Sequence, residues 1–341
     1  MFDSLSINIG VFLIAAFVIA IAGSKMTKVA DSLADKTGLG EALVGAILLG
    51  GSTSLPGIVT SVTAAATNHP ELAISNAIGG IAAQTAFLSI ADIAYRKANL
   101  EHAAASLANL TQGTLLVALL AVPLLAMAGP EVSILAIHPA SFVLLGAYLY
   151  GLNLVSQANK NPMWEPTETD NTKVDEPEEN IDDGSSLTGL WLSFFLLAIT
   201  VGVAGYFVAE SGIAISEKSG ISQSVVGGLF TAISTSLPEL VTSVAAVRQG
   251  ALTLAVSDII GGNTFDVLFI AFSDFAYRRG SIYHGLTNSQ SFVISLAILM
   301  TGILLLGLLR RQEYGLGKIG FESWLILILY IGGFSLLFVG I

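Results

Sequence analysis

Three oxygen-bearing side chains around one proline have the chemistry of a cation site. Thr235, Ser236 and Glu239 occupy positions i, i+1 and i+4 of an apolar segment, so a helix would place them on one face. Asp258 and Asp266 share a face of the next apolar segment in the same way. Acids inside apolar helices are rare and costly, so we expect these to function, with hydroxyl and carboxylate oxygens binding a cation. The alternative, a buried acid that only caps a broken helix, stays open, above all for Asp258.

Much of this pattern occurs twice in the chain. The pentapeptide Ser-Thr-Ser-Leu-Pro occupies residues 52–56 and again 234–238, an offset of 182 residues. Residues 45–97 aligned without gaps on 227–279 share 22 of 53 positions. Apolar helices that resemble each other by chance would not keep the same Ser, Thr, Pro, Asp and Arg residues. The chain is therefore predicted to contain two halves that arose by duplication.

Both prolines of the repeated pentapeptide lie in the middle of an apolar segment. Each lacks an N–H and clashes with the carbonyl four residues earlier, which belongs to Ser52 for Pro56 and to Ser234 for Pro238. We expect two broken helices whose freed carbonyls and hydroxyls line a cavity. The alternative is a pair of kinks that neighbouring Ser and Thr hydroxyls satisfy.

The composition places these segments in a membrane. Of 341 residues 53% are hydrophobic and 11% are charged, whereas soluble domains carry about 25% charged residues. A bilayer-spanning helix needs about 20 apolar residues. Ten segments qualify, and the prediction is an all-α integral membrane protein with ten transmembrane helices, at 7–24, 41–66, 71–91, 110–128, 131–155, 187–210, 221–248, 251–275, 288–309 and 322–341.

Charge and composition exclude several classes of protein. The net charge is −11 without a basic stripe, so nucleic-acid binding is not expected. The chain has no cysteine, which excludes disulfides and thiolate metal sites. It also lacks Gly-x-Gly-Asp, His-Glu-x-x-His and Gly-x-Ser-x-Gly motifs, so we do not expect an enzyme. No cofactor is expected, and the predicted partners are inorganic cations and the lipid bilayer.

The distribution of Lys and Arg predicts the topology. Alternate loops carry 11 and 3 of these residues, which places the N- and C-termini outside. Five spans separate each repeated element from its copy, so the halves are predicted to have inverted topology. We expect a first five-helix repeat at 1–155, an acidic cytoplasmic linker at 156–186 with nine acids and two bases, and a second five-helix repeat at 187–341.

The repeated motifs resemble those of a known family. Thr-Ser-Leu-Pro-Glu at 235–239, followed by Gly-Gly-Asn-Thr-Phe-Asp at 261–266, is similar to the α-repeat of the cation/calcium antiporter superfamily, which includes the sodium/calcium exchangers. The resemblance is close over 30–97 and 212–279. Elsewhere it extends to the span count, the inverted topology and the acidic central loop.

The resemblance implies a ligand set. In that superfamily the Thr, Ser and Glu of each motif bind ions, together with a Ser and an Asn or Asp four residues apart in the adjacent helix. The implied ligands here are Thr235, Ser236, Glu239 and Asp266 from the second half, and Thr53, Ser54 and Gln84 from the first. Asp258 stands where the superfamily usually has Asn, and its charge is a further candidate.

This chain departs from the superfamily at three glycines. Gly57 replaces the glutamate of the first half, and Gly80 and Gly262 replace the two serines. Two carboxylates can still neutralise one Ca²⁺, but the loss of one glutamate is expected to weaken divalent binding. The resemblance thus implies a secondary antiporter in a bacterial or archaeal plasma membrane that moves Ca²⁺ or another cation against Na⁺ or H⁺. A Na⁺/H⁺, K⁺ or Mg²⁺ antiporter, and a transport-inactive sensor or partner, remain alternatives.

Overall fold

The computed structural model describes residues 2–37, 50–95, 99–167, 169, 186–315 and 319–340. Within these residues the chain is helical and forms no strand, apart from an isolated bridge between Ile134 and Ile137. The helices are α1 (Leu5–Thr37), α2 (Leu55–Ala66), α3 (Pro70–Ala94), α4 (Leu100–Ala103), α5 (Leu107–Ala128), α6 (Pro139–Lys160), α7 (Leu187–Ser219), α8 (Gln223–Thr235), α9 (Leu237–Gln249), α10 (Leu252–Asp266), α11 (Leu268–Ala276), α12 (Asn288–Arg310) and α13 (Phe321–Val339).

The described helices account for most of the predicted spans. Eight are long and apolar enough to cross a membrane when α10 and α11 are taken together, and the bent pair α8–α9 makes a ninth. The predicted span 41–66 is described only from residue 50, as helical residues 50–53 and the short apolar helix α2. Residues 41–49 lie outside the described part of the chain, so the count of ten stays a prediction.

One predicted span begins later in the structure. The segment predicted at 131–155 is observed as α6, which starts at Pro139 and continues to Lys160. Proline is favourable in the first turn of a helix because its missing N–H has no partner there in any case. His138 caps the same turn by accepting a hydrogen bond from the Ala140 N–H at 3.1 Å. Of the predicted linker after α6, residues 168 and 170–185 lie outside the described part of the chain.

The inner helices are almost enclosed by the outer ones. The α3 helix is buried along nearly its whole length, and α10 with α11 is largely buried. By contrast, α1 and α7 are 33 residues each, pack against one another, and expose large apolar side chains such as Phe17 and Phe195. Apolar outer faces of this kind suit contact with lipid. The polar side chains predicted to bind a cation lie mainly on the inner helices.

Glycine lets two of the inner helices approach closely. A Cβ atom on Gly79 of α3 would lie only 2.2 Å from the carbonyl oxygen of Gly228 in α8. No other residue fits there without separating the helices. The repeated glycines at 79 and 80 therefore begin with a packing role, which brings α3 against the broken helix α8–α9.

Candidate cation-binding site

Both predicted breaks are present and have the same backbone geometry. The chain leaves helical geometry at Ser54, with φ −84° and ψ −4°, and at Ser236, with φ −96° and ψ 7°. Pro56 and Pro238 then lie in the first turn of α2 and α9, and α8 and α9 are bent by 46°. Because the prolines cannot continue the preceding hydrogen-bond ladder, each break leaves a serine hydroxyl free to bond elsewhere.

Asp266 joins the two breaks. Its Oδ1 accepts a hydrogen bond from the Ser54 hydroxyl at 2.5 Å, and its Oδ2 accepts one from Gln84 Nε2 at 2.7 Å. The same Gln84 nitrogen donates to Ser236 Oγ at 3.1 Å. All four side chains are buried. The structure thus brings together four of the predicted site residues, two from each half of the chain.

Glu239 lies in the first turn of α9, where the positive end of the helix dipole favours a carboxylate. Its side chain is 5% exposed, and its Oε2 atom has no hydrogen-bond partner among the described residues. Asp266 acts on it electrostatically. A buried carboxylate oxygen without a donor is unfavourable unless a proton or a cation supplies the missing interaction.

The unpartnered oxygens of this region have one chemistry. Gln84 Oε1 and Asn263 Oδ1 are buried and, like Glu239 Oε2, accept no hydrogen bond within the described part of the chain. All three are acceptors. The arrangement therefore has an excess of oxygen lone pairs, which is the complement that a cation needs.

The two predicted threonines bond first to their own helices. Thr53 Oγ1 donates to the Gly50 carbonyl at 3.1 Å, and Thr235 Oγ1 donates to the Ala232 carbonyl at 3.2 Å. Thr235 also lies 3.5 Å from Asn76 Oδ1. No described contact joins Thr53 to Asp266, so in this conformation Thr53 lies beside the group rather than in it.

Asp258 lies away from the group. Its residue is exposed, on the outer side of α10, and the acid that acts on it electrostatically is Asp31 of α1. Its counterpart 182 residues earlier is Asn76, which is 1% exposed and lies at the site. Asn76 Nδ2 donates to Ser61 Oγ at 2.9 Å, and Asn76 Oδ1 accepts from Thr231 at 2.7 Å. Sequence reasoning missed Asn76, although its correspondence to Asp258 in the repeat was a usable signal.

An aromatic ring occupies the space beside Gly57, where the resemblance expects a glutamate. A Cβ atom built on Gly57 would lie 2.5 Å from the Phe269 ring, which is buried. Phe265 packs edge to face on Phe269 and lies against Gly50. The first half therefore has lost more than a carboxylate, because apolar rings fill the space that its side chain would enter.

The glycines at the predicted serine positions face the group directly. A Cβ atom on Gly80 would lie 3.5 Å from Ser236 Oγ and 3.9 Å from Asp266 Oδ2. One on Gly262 would lie 3.3 Å from Gln84 Oε1. Both backbones thus border the hydrogen-bonded side chains. The predicted serine positions belong to the site, although neither provides a side-chain ligand.

The long outer helices contact the breaks through glycines. Gly23 of α1 faces Pro238, where a Cβ atom would come within 2.5 Å of the proline Cγ. Gly205 of α7 faces Pro56, where a Cβ atom would come within 2.9 Å of the proline carbonyl oxygen. These corresponding contacts place α1 and α7 directly on the two broken helices.

Comparisons with known proteins agree with this arrangement. A family model described as sodium/calcium exchanger protein matches residues 7–157 and again 189–339. The chain is 30% identical over 155 residues to sodium/calcium exchanger MaX1 of Methanosarcina acetivorans, an alignment that covers 45% of this chain and 44% of that protein. It is 31% identical over 156 residues to inner membrane protein YrbG of Escherichia coli, covering 44% and 46%. The alignments thus span less than half of the curated relatives.

Solved structures show the same fold. The H⁺/Ca²⁺ exchanger CAX superposes with a TM-score of 0.69 at 15% identity, covering 98% of this chain and 82% of that one. The sodium-calcium exchanger NCX_Mj superposes with a TM-score of 0.60 at 20% identity, covering 97% and 99%. At these identities the likeness establishes the fold alone.

Proposed function

Because this chain belongs to the sodium/calcium exchanger protein family, we propose that it is a secondary active antiporter that exchanges Ca²⁺ or another cation for Na⁺ or H⁺. The observation that carries the proposal is the buried group in which Ser54, Gln84 and Ser236 surround Asp266. The unpartnered carboxylate oxygen of Glu239 adds a second acid to this group. Two acids and several neutral oxygens suit one divalent cation or a small number of monovalent ones.

Gln84 competes with the transported cation for the same oxygens. Its amide nitrogen lies between Ser236 Oγ and Asp266 Oδ2, so it donates hydrogen bonds where a cation would accept oxygen ligands. Rotation of the amide would withdraw these donors and direct Oε1 toward the cation. We therefore assign Gln84 two roles, as an internal substitute for the cation and as one of its ligands.

Alternating access follows from the position of the breaks. The halves are proposed to cross the membrane in opposite directions, with five helices each and both termini outside. The broken helices and their partners would form a central core, and α1 and α7 would move against it. Glycine contacts at Pro56 and Pro238 support this, because small residues allow one helix to move across another without a large steric barrier.

A second candidate function is a Na⁺/H⁺ antiporter, or one for K⁺ or Mg²⁺, with a weakened calcium site. The observation that favours it is Phe269, whose ring occupies the space beside Gly57 and leaves both acids of the site to the second half. Among the described residues no three His, Asp or Glu side chains converge in a geometry that could hold a metal ion. A site with fewer charges binds divalent ions less tightly.

The membrane assignment agrees with the relatives, of which one is archaeal and one is a bacterial inner membrane protein. We propose a bacterial or archaeal plasma membrane, with the acidic linker on the cytoplasmic side. The count of Lys and Arg residues in alternate loops supports this orientation.

The proposal is tested by reconstituting the full chain in liposomes and imposing Na⁺ or H⁺ gradients. Uptake of Ca²⁺, Na⁺ and H⁺ is measured for the unsubstituted protein, for Asp266→Asn and for Glu217→Gln, an acid whose side chain is 61% exposed at the end of α7. Gradient-driven flux that Asp266→Asn abolishes and Glu217→Gln retains is the expected result. Absence of flux for every cation would favour the inactive sensor or partner and contradict antiport.

A further inference from the structure

A buried carboxyl group lies at the contact between two loops, far from the central site. Asp92, at the end of α3, accepts hydrogen bonds from the Leu100 N–H at 2.7 Å and the Gly320 N–H at 2.9 Å. Beside it, Glu101 Oε1 accepts a hydrogen bond from the Ser323 hydroxyl at 2.7 Å. We call Asp92, Glu101 and Ser323 the Asp92 cluster. It ties α4 to the start of α13.

The second half has a corresponding group. Asp274 accepts hydrogen bonds from the Ile282 N–H at 3.0 Å and the His138 N–H at 2.7 Å, and Ser141 donates to it at 2.7 Å. Ser141 also lies 2.9 Å from the Tyr283 hydroxyl. Each member stands 182 residues from its counterpart, so Tyr283 corresponds to Glu101. We call Asp274, Tyr283 and Ser141 the Asp274 cluster.

The clusters lie at opposite ends of the molecule. The Asp274 cluster surrounds the start of α6, whose 22 residues extend about 33 Å. The linker begins at the other end of α6 and reaches the Asp92 cluster through α4. His102 of α4 hydrogen-bonds to Thr169 of the linker at 2.8 Å, and Arg311 Nη1 donates to the Thr167 carbonyl at 2.7 Å.

Glu101 is the member that breaks the likeness between the clusters. It is 4% exposed, and its Oε2 atom has no hydrogen-bond partner among the described residues. That atom points at Gly320, where a Cβ atom would come within 2.8 Å of it. Burial, and next the charge of Asp92, raise the pKa of Glu101 to about 7. Tyr283 instead presents a neutral hydroxyl, and burial raises its pKa above the ordinary tyrosine value.

The other charged groups around Glu101 are already paired or turned away. Glu322 of α13 packs beside Glu101 on Gly307 and acts on it electrostatically, but its carboxylate lies 3.3 Å from Arg310. His102 and Arg311 bond to one another's carbonyls and to the linker, with the His102 ring 2.7 Å from the Arg311 carbonyl. The acids of α10, which also packs on α4, are the exposed Asp258 and the central Asp266.

We propose that Glu101 and Asp92 form a proton-binding site that controls how the linker docks on the loops. A proton suits the site better than a metal ion, because the described residues contain no group of three His, Asp or Glu side chains able to hold a metal. With Glu101 protonated, one negative charge lies beside the backbone donors that Asp92 binds. Loss of that proton to the solvent on the linker side leaves two buried carboxylates next to each other, which is unfavourable. Moving α4 away from Gly320 relieves it, and α4 carries the His102 contact to the linker.

The absence of cysteine from the chain allows a direct test of linker docking. A Thr167→Cys substitution, labelled with an environment-sensitive fluorophore, keeps the backbone carbonyl that Arg311 binds. A label at Glu131→Cys, an exposed position at the end with the Asp274 cluster, is the matched control. We expect emission at 167 to change with a midpoint near the Glu101 pKa of about 7, no change at 131, and no change at 167 when Glu101→Gln is added.

Two results would overturn the proposal: no change at 167 in the unsubstituted background, or the same change in Glu101→Gln, which would assign the response to His102. Should Glu101→Gln fail to fold, infrared difference spectroscopy of the unsubstituted protein decides. A protonated-carboxyl C=O band must disappear as the pH rises through about 7, and its absence overturns the proposal. Neither measurement involves ion flux, so the result is independent of the proposed antiport.

Discussion

The two halves of the chain differ most where each has gained or lost an acid. After the helix break the second half has Glu239, whereas the first half has Gly57 with the Phe269 ring against it. At the loop clusters the difference is reversed, because the first half has Glu101 and the second has Tyr283. The acids grouped at the centre of the membrane domain thus come from the second half, and a titratable loop acid comes from the first. Duplication supplied equal scaffolds, and single residues made their chemistry unequal.

The strongest break of this comparison is removal of the acid at the centre. We expect Glu239→Gln to reduce the apparent affinity for the transported cation by about 100-fold or more. Removing one charged partner from a buried pair costs about 3–5 kcal/mol. Cation-dependent flux in proteoliposomes measures the effect, with Glu217→Gln as the control. Flux in Glu239→Gln equal to that of the control would contradict a site based on the second half.

A second prediction restores the acid to the first half. Gly57→Glu alone should destabilise the fold by about 1–3 kcal/mol, because its Cβ meets the Phe269 ring at 2.5 Å. Gly57→Glu combined with Phe269→Ala has room for the carboxylate and should raise divalent affinity about tenfold, since charge count tunes cation affinity. Thermal unfolding and Ca²⁺ binding measure the two effects.

Phe87→Ala is the matched control, because Phe87 corresponds to Phe269 in the repeat. If Gly57→Glu gained the same affinity with Phe87→Ala as with Phe269→Ala, the ring at 269 would not be what keeps the first half neutral. An affinity gain without either aromatic substitution would lead to the same conclusion.

A third prediction concerns the amide that replaces an acid. Gln84→Glu removes the donor that lies 2.7 Å from Asp266 and adds a carboxylate in its place. We expect a several-fold rise in divalent affinity at high pH, and its loss at low pH, because two adjacent carboxylates retain a proton between them. Ca²⁺ binding measured against pH checks this. A rise that does not depend on pH would show that the new carboxylate lies apart from Asp266.

The fourth and smallest expected effect compares the loop clusters. An acid whose pKa is raised on folding binds its proton more tightly in the folded state, so its contribution to stability falls as pH rises from 4.5 to about 7. Glu101→Gln should remove this fall from the pH profile of the Tm. Tyr283→Phe should leave the slope unchanged over the same range. Parallel profiles for the unsubstituted protein and Glu101→Gln would contradict the assignment.

The sequence predicted the framework of the site well, because its signals are local. Pro56 and Pro238 each act on the carbonyl four residues earlier, so the breaks follow from the pentapeptide itself. Ser54, Gln84, Ser236 and Asp266 were each identified from the repeated motifs, and they do meet. The start of α6 was placed too early because the apolar residues before Pro139 continue the hydropathy of the helix.

Other features depend on contacts between distant parts of the chain. The Phe269 ring meets Gly57 across more than 200 residues, and no local pattern indicates which aromatic residue fills a missing side chain's place. The Ser323–Glu101 bond joins residues 222 positions apart. Asp258 was favoured over Asn76 because charge was weighted above position, yet α10 exposes the aspartate and α3 buries the asparagine.

The central claim is that the cation lies between Glu239 and Asp266, with only neutral ligands from the first half. Crystals of the full chain, soaked in turn with Ca²⁺, its heavier analogue Sr²⁺ and Na⁺, test it by difference density. The account predicts a peak within bonding distance of carboxylate oxygens of both Glu239 and Asp266, and of the Ser54 or Ser236 hydroxyl. A cation bound without these two carboxylates, or no bound cation under any of the soaks, would contradict it.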